Sequence, residues 1–348
     1  MKKKIIYLLL IIAIFGIGMY FMVALNENSD NGFDRKMVNK QLRIQHSIKL
    51  EHDIFFSWKP ERDIWISSRH RPLDLLRLNN SLGVTEVKSL KLPNEFNSNL
   101  HNLNFSHVDS SIFVANEVGQ IARLSSTRRK VFNVKAIFDN PVAISANSIA
   151  VRLFKNSKKG SYTELCKIVL TNNGQVKKSF TVPKQFDGIF CSDGLLQYDE
   201  DSKRLFYMYY RRGSFLCLDT NLNLLYSAKT VDTINRANLK LIDSERTTAN
   251  GKVTKGRTLN MPGDLVNIYF SVFQDKLYLY SGVRANNQSL TDFFQNSTID
   301  VYALNNGNYL YSFLMPKHTG LLLRQFHVEN DNLIALYDRC MVSLITKQ

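Results

Sequence analysis

Asp199-Glu200-Asp201-Ser202 opens the most informative stretch of this chain. It runs on through Leu205-Phe206-Tyr207-Met208-Tyr209 and Phe215-Leu216-Cys217-Leu218-Asp219, then the turn Thr220-Asn221-Leu222-Asn223 and Leu224-Leu225-Tyr226. Three short runs of aromatic and aliphatic residues, each closed by polar turn formers, predict successive antiparallel strands. Other parts of the chain repeat this grammar.

Apolar runs that follow an acidic or Asn/Ser turn begin at Ile64, Ile112, Ile149, Leu205, Leu277 and Leu333. These six are expected to be copies of one inner strand of a repeating sheet. A further strand follows each, then in five cases a second turn such as Asn172-Asn173-Gly174 or Asn305-Asn306-Gly307, in which glycine supplies positive φ without a Cβ clash. Four strands therefore fit in each of five units, while the sixth stops at Gln348 after three. Leu42 to Leu50, half-alternating and without a neighbouring hairpin partner, is the candidate for the missing strand. It would close a ring between the two chain ends and so remove exposed sheet edges.

This pattern, from Leu42 to Gln348, resembles the six-bladed β-propellers of the NHL, TolB-like and related bacterial envelope families. The resemblance implies an all-β, six-bladed β-propeller closed by pairing of its N- and C-terminal strands. No strict blade signature such as a Trp-Asp pair is present, and irregular spacing leaves a seven-bladed ring or a pair of β-sandwiches open. The longest gap between repeats holds residues 232–263. It is expected to be an insertion containing a hairpin, Leu239–Ile242 against Val253–Leu259. Residues 285–297, with Phe293-Phe294, read as a second long loop, a lip over the ring or a partner contact.

Composition agrees with a β-rich interior. The 348 residues include 22 Phe and 15 Tyr, and 44% are hydrophobic. Met1-Lys2-Lys3-Lys4 precedes an uncharged run from Ile5 to Leu25, long enough at helical rise to cross a bilayer. Residues 1–25 are thus expected to be cytoplasmic lysines and a single transmembrane signal anchor, with the rest extracytoplasmic, on the periplasmic side. A cleaved signal peptide is the competing reading; Met22-Val23-Ala24-Leu25 fits a cleavage site poorly. Residues 26–41 are expected to be a polar, flexible tether and 42–348 the propeller domain.

The formal charge of +15 favours anionic partners, namely lipid headgroups, acidic envelope polymers or an acidic protein. Basic pairs at turns would equally make a solvated surface. Nucleic acid is not expected, since no recognition helix or zinc finger occurs. Four cysteines, Cys166, Cys191, Cys217 and Cys340, lack CxxC spacing and are expected to be buried free thiols, with Cys191 and Cys217 on the first and third strands of one blade.

In propellers of this kind the second strand of each blade runs toward the face bearing the loops to the third strand. Several of the six runs exit into positive charge on that face. The candidate ligand-binding residues are Arg69, Arg71, Arg152, Arg211, Arg212, Arg284 and Arg339, with Trp65 and Tyr209 for stacking. Converging guanidinium groups would suit a carboxylate, phosphate or acidic protein loop. No GxSxG, HExxH, P-loop or EF-hand pattern occurs, and the seven histidines are dispersed. The expected role is a non-enzymatic binding or assembly module for an acidic ligand or envelope protein, without metal or cofactor. The alternative is a propeller hydrolase or redox enzyme with a metal or cofactor at the central mouth.

Overall fold

The computed structural model describes Phe15 and residues 31–50, 54–58, 64–68, 70–79, 81–97, 103–116, 118–125, 128–157, 160–171, 173–247, 253–260, 263–318, 320–329 and 332–346. Apart from Phe15, the expected transmembrane anchor lies outside the described residues, as does Arg69. Among the described residues no helix is long and apolar enough to cross a membrane.

Six four-stranded antiparallel sheets form a six-bladed β-propeller. Blade 1 comprises Ile54–Trp58, Ile64–Ser68, Asp74–Leu78 and Val84–Ser89; blade 2, Asn104–Val108, Ser111–Ala115, Gln120–Leu124 and Arg129–Asn133. Blade 3 comprises Phe138–Ser145, Ser148–Ser157, Gly160–Val169 and Gln175–Thr181; blade 4, Gly194–Asp199, Arg204–Tyr209, Ser214–Asp219 and Leu224–Lys229. Blade 5 comprises Asn267–Phe273, Lys276–Ser281, Asn296–Ala303 and Tyr309–Pro316. Blade 6 takes Leu323–Glu329, Asn332–Tyr337 and Cys340–Thr346 from the carboxy terminus and Leu42–Lys49 from the amino terminus. Leu42 pairs with Thr346, Ile44 with Leu344 and Ile48 with Met341.

The six apolar runs are the second strands of the blades, one place out from the axis. Each has neighbours on both edges and a blade against each face, so Leu205 to Tyr209 and Leu333 to Tyr337 are buried throughout. A strand in that position reads as an unbroken apolar run, which is why the repeat shows in the sequence. Outer strands meet solvent instead: Val84–Ser89 is exposed along its length, and Lys177 and Lys178 help blunt the open edge of blade 3.

The core is divided into six wedges, each between neighbouring blades. Phe113 and Phe132 of blade 2 meet Ile149 and Cys166 of blade 3. Phe206 and Phe215 of blade 4 meet Phe270 and Tyr302 of blade 5. Ile64 and Ile66 of blade 1 meet Leu336 and Met341 of blade 6, so the two ends of the chain share one apolar wedge. Each such side chain removed from water contributes about 1.5 to 3 kcal/mol. Gly174 and Gly307 adopt φ of +75° and +74° at their turns, as their sequence context predicts.

The stretch expected to be a flexible tether departs from that reading over residues 31–40. The Arg35 guanidinium is fully buried against Asp300, also donating to Ser281 Oγ at 2.9 Å and Gln288 Oε1 at 3.4 Å. Met37 forms a parallel bridge with Ser312 of the outer strand of blade 5. Polar composition suggested mobility, but one arginine with a preformed carboxylate partner is enough to seat the segment. Cys191 also differs from expectation: it lies in the loop before blade 4 rather than on a strand, its thiol donating to the Asp187 carbonyl. All four cysteines are free and buried.

Candidate functional site

Antiparallel blades place two kinds of connection at opposite ends of the ring. One end carries the turns joining first to second and third to fourth strands, and these are short, from the two residues 109–110 to the five residues 304–308. The other end, the crossover face, carries the second-to-third turns and the links between blades. Nearly all elaboration sits there: residues 182–193, the 230–266 interval with its hairpin, and residues 282–295 with the helix Leu290–Gln295. Within the expected insertion, Leu241–Thr247 pairs with Val253–Leu259. The second of these strands matches the sequence reading, and the first begins two residues later.

The candidate arginines reach this face but do not form one open cluster. Arg152, on the second strand of blade 3, is buried and clasped by two carboxylates, Asp139 of the same blade and Asp193 of the loop entering blade 4. Its Nε donates to Asp139 Oδ1 at 2.7 Å. Burial opposes its charge, yet the Asp139 hydrogen bond and the nearby Tyr207, Asp139 and Asp193 push its pKa further up, so it stays a fixed cation. The same burial drives the Tyr207 and Tyr210 phenols well above their ordinary range. Tyr207 donates to the Ser192 carbonyl at 2.5 Å, completing a tie between blades 3 and 4.

Arg212 and Tyr209 come together one blade further on. The Arg212 guanidinium lies 3.7 Å from the Tyr209 ring centroid and donates to the Pro183 carbonyl at 2.8 Å. Burial raises the Tyr209 pKa to about 12 against the opposing influence of Arg212. Asn267, fully buried at the start of blade 5, donates to the carbonyls of Tyr209 and Arg212 at 2.7 and 3.0 Å. Arg211 donates to the Gly263 carbonyl. Arg284 is buried and donates to the Gln288 carbonyl at 3.1 Å. These four arginines therefore hydrogen-bond carbonyls or carboxylates of the chain itself, each at its own loop or strand end. Arg71 and Arg339 are exposed on this face, and Trp65 is half-buried, within 5.9 Å of Lys88 Nζ.

Sequence reasoning marked Phe293-Phe294 on this face and missed the loop around Phe186. A depression of about 370 Å³ is lined by Phe186, Arg236, Ala237, Asn238 and Leu239, with the Arg236 guanidinium 5.8 Å from the Phe186 ring. The helix Leu290–Gln295 buries none of its residues; Ser289 caps it by accepting from the Asp292 N–H at 3.0 Å. Phe293 and Phe294 meet edge to face with centroids 5.7 Å apart, and Phe294 is 64% exposed. Among the described residues no three His, Cys, Asp or Glu side chains come together as metal ligands.

No family model matches the chain, and no curated protein matches it. Solved structures do. A member of the DUF4221 family from Bacteroides vulgatus is similar at 12% identity and a TM-score of 0.51, over 89% of this chain and 98% of that one. Virginiamycin B lyase from Staphylococcus aureus is similar at 10% identity and a TM-score of 0.46, over 88% and 100%. BamB from Moraxella catarrhalis is similar at 12% identity and a TM-score of 0.41, over 88% and 98%. The likeness to the DUF4221 structure, at 12% identity, is one of fold alone.

Proposed function

We propose that this protein is a membrane-anchored, extracytoplasmic propeller acting as a non-enzymatic binding or assembly module, with the crossover face as its working surface. In this reading residues 5–25 hold the chain in the bilayer, the paired chain ends close the ring, and the crossover face receives an anionic partner. One observation carries it: insertions, helix and hairpin are concentrated at one end of the ring, while the other end keeps minimal turns. Loops elaborated on a rigid scaffold are where recognition is placed. The basic composition and the exposed Arg71 and Arg339 supply the charge for such a partner.

The test is site-specific photocrosslinking of the full chain in its envelope fraction. Probes at Arg71 and Arg339 are expected to give adducts that disappear when Lys184 and Arg236 are changed to Glu. A probe at Asn306, in a turn of the opposite face, is expected to give none. Equal adduct patterns from both faces would sink the proposal. Carbonate extraction tests anchoring separately: release of the intact chain into the supernatant would refute it.

A further inference from the structure

We infer that the crossover face lies against an anionic bilayer, with the helix Leu290–Gln295 and its Phe pair entering the headgroup region. The inference deepens the proposed function and rests on its anchored reading. Its first support is where large apolar side chains are exposed. Among the described connections between strands, those exposed are Val118, Ile137, Phe186, Leu265, Phe294 and Leu322, and all six belong to the crossover face. On the opposite face the leucines in the turns, Leu82, Leu170, Leu222 and Leu304, are buried. Each of the six exposed residues comes from a different loop, so large apolar side chains are offered to solvent around the whole of the crossover face, and none from the described turns of the opposite one.

Charge is the second support. Exposed Lys135 sits two residues before Ile137, and exposed Lys184 two before Phe186. Arg236 lies over the Phe186 ring, and Lys317 donates to the Phe294 carbonyl at 2.6 Å. An apolar side chain flanked by a long cation is the arrangement that interfacial elements use, the ring entering the acyl boundary while the cation meets lipid phosphate.

Position supplies the third. The Asn31 N–H donates to Asn286 Oδ1 at 2.6 Å, and the Asn31 carbonyl accepts from Thr233 Oγ1 at 3.0 Å, so the chain enters the ring on this face. Leu25, the last residue of the apolar run, is only six Cα steps from Asn31. At full extension that is about 20 Å. An anchored run therefore holds the loop carrying Phe293 and Phe294 near the bilayer surface, which favours lipid over a soluble protein as the occupant.

The test uses the full chain in proteoliposomes of phosphatidylethanolamine with anionic phosphatidylglycerol. The native cysteines are buried, so Gln295→Cys and, on the opposite face, Asn306→Cys can each be labelled with an environment-sensitive fluorophore. The label at 295 is expected to be quenched by headgroup spin-labelled lipid at least about threefold more than the label at 306, as an interfacial residue would be. Phe294→Ser with Lys317→Gln is expected to abolish that difference while the protein still floats with the vesicles. Equal quenching at both positions in floating protein would overturn the inference and leave the anchor standing. Shielding of 295 only after an envelope protein fraction is added would also overturn it, in favour of a protein partner. Protein that fails to float would overturn the anchored reading and this inference with it.

Discussion

Arg35 and Asp300 are joined through both carboxylate oxygens, at 2.7 and 3.1 Å, although 265 positions separate them in the chain. Asp300 stands on the third strand of blade 5 and is buried, and its remaining hydrogen bond comes from the Ser312 hydroxyl at 2.5 Å. Arg35→Met would leave a buried carboxylate without its cation, held by the Ser312 hydroxyl. The expected loss is about 3 to 5 kcal/mol in urea unfolding, with much of it recovered in Arg35→Met/Asp300→Leu, where neither charge remains to be desolvated. A single variant as stable as the parent would refute the role given to the pair.

The seam between the chain ends can be probed through Ser47 and Cys340. Their side-chain oxygen and sulfur are 3.3 Å apart, and the residues are 293 positions apart in sequence. Ser47→Cys is expected to form a disulfide with Cys340 on oxidation. In the chain-entropy description a bridge over so long a loop stabilises by at most about 6 kcal/mol. The readout is a rise in Tm that a reductant reverses. Oxidation without any cross-link would argue against the seam.

Asp232 sets a pH dependence whose sign can be worked out. Burial raises its pKa above the ordinary carboxylate value; the Thr230 hydroxyl and the Ile234 N–H oppose that rise. The folded state therefore holds the proton to higher pH than the unfolded chain. This contribution to stability is complete below about pH 3.9 and is lost as pH climbs through the folded pKa. Asp232→Asn lacks the loss, so its stability relative to the parent should increase from about pH 4 toward neutrality. A constant difference across that window in parallel urea titrations would rule the account out.

The cysteines give a thiol-reactivity prediction. Burial raises Cys166 to about 12, ahead of the nearby Glu164 charge, and Cys217 to about 11, against a hydrogen bond with Tyr226. Burial also raises Cys191, against a hydrogen bond from the Gln185 N–H that favours the thiolate. Since the thiolate is the reactive form, native protein at about pH 8 should resist a disulfide-exchange reagent, with labelling following global unfolding. Rapid labelling of any of these three in the folded state would contradict the burial seen here.

The propeller was readable because its diagnostic strands are enclosed on all sides. Ile112, Ile149 and Leu205 open runs with no room for polar residues, and such runs survive irregular spacing. Residues whose meaning depends on distant partners were not readable. Arg152 stood out as a charge after an apolar run, but nothing local to it revealed that Asp139 and Asp193 would occupy its guanidinium. Arg35 sat in a polar stretch that composition marked as mobile. The helix Leu290–Gln295 did leave a local signal, the Ser289-x-x-Asp292 capping pattern, masked by the surrounding Asn and Gln residues.

The buried clasp at Arg35 also has a mechanical consequence. The strand that follows it, Leu42–Lys49, is held to the ring by one hydrogen-bonded edge and closes blade 6 from outside. A tug arriving from upstream of Asn31 meets the guanidinium lodged in blade 5 before it reaches that zipper. Tension is thereby shunted into a sheet built from a single continuous run of chain. The arrangement works as a cable gland, sparing the joint most prone to peel.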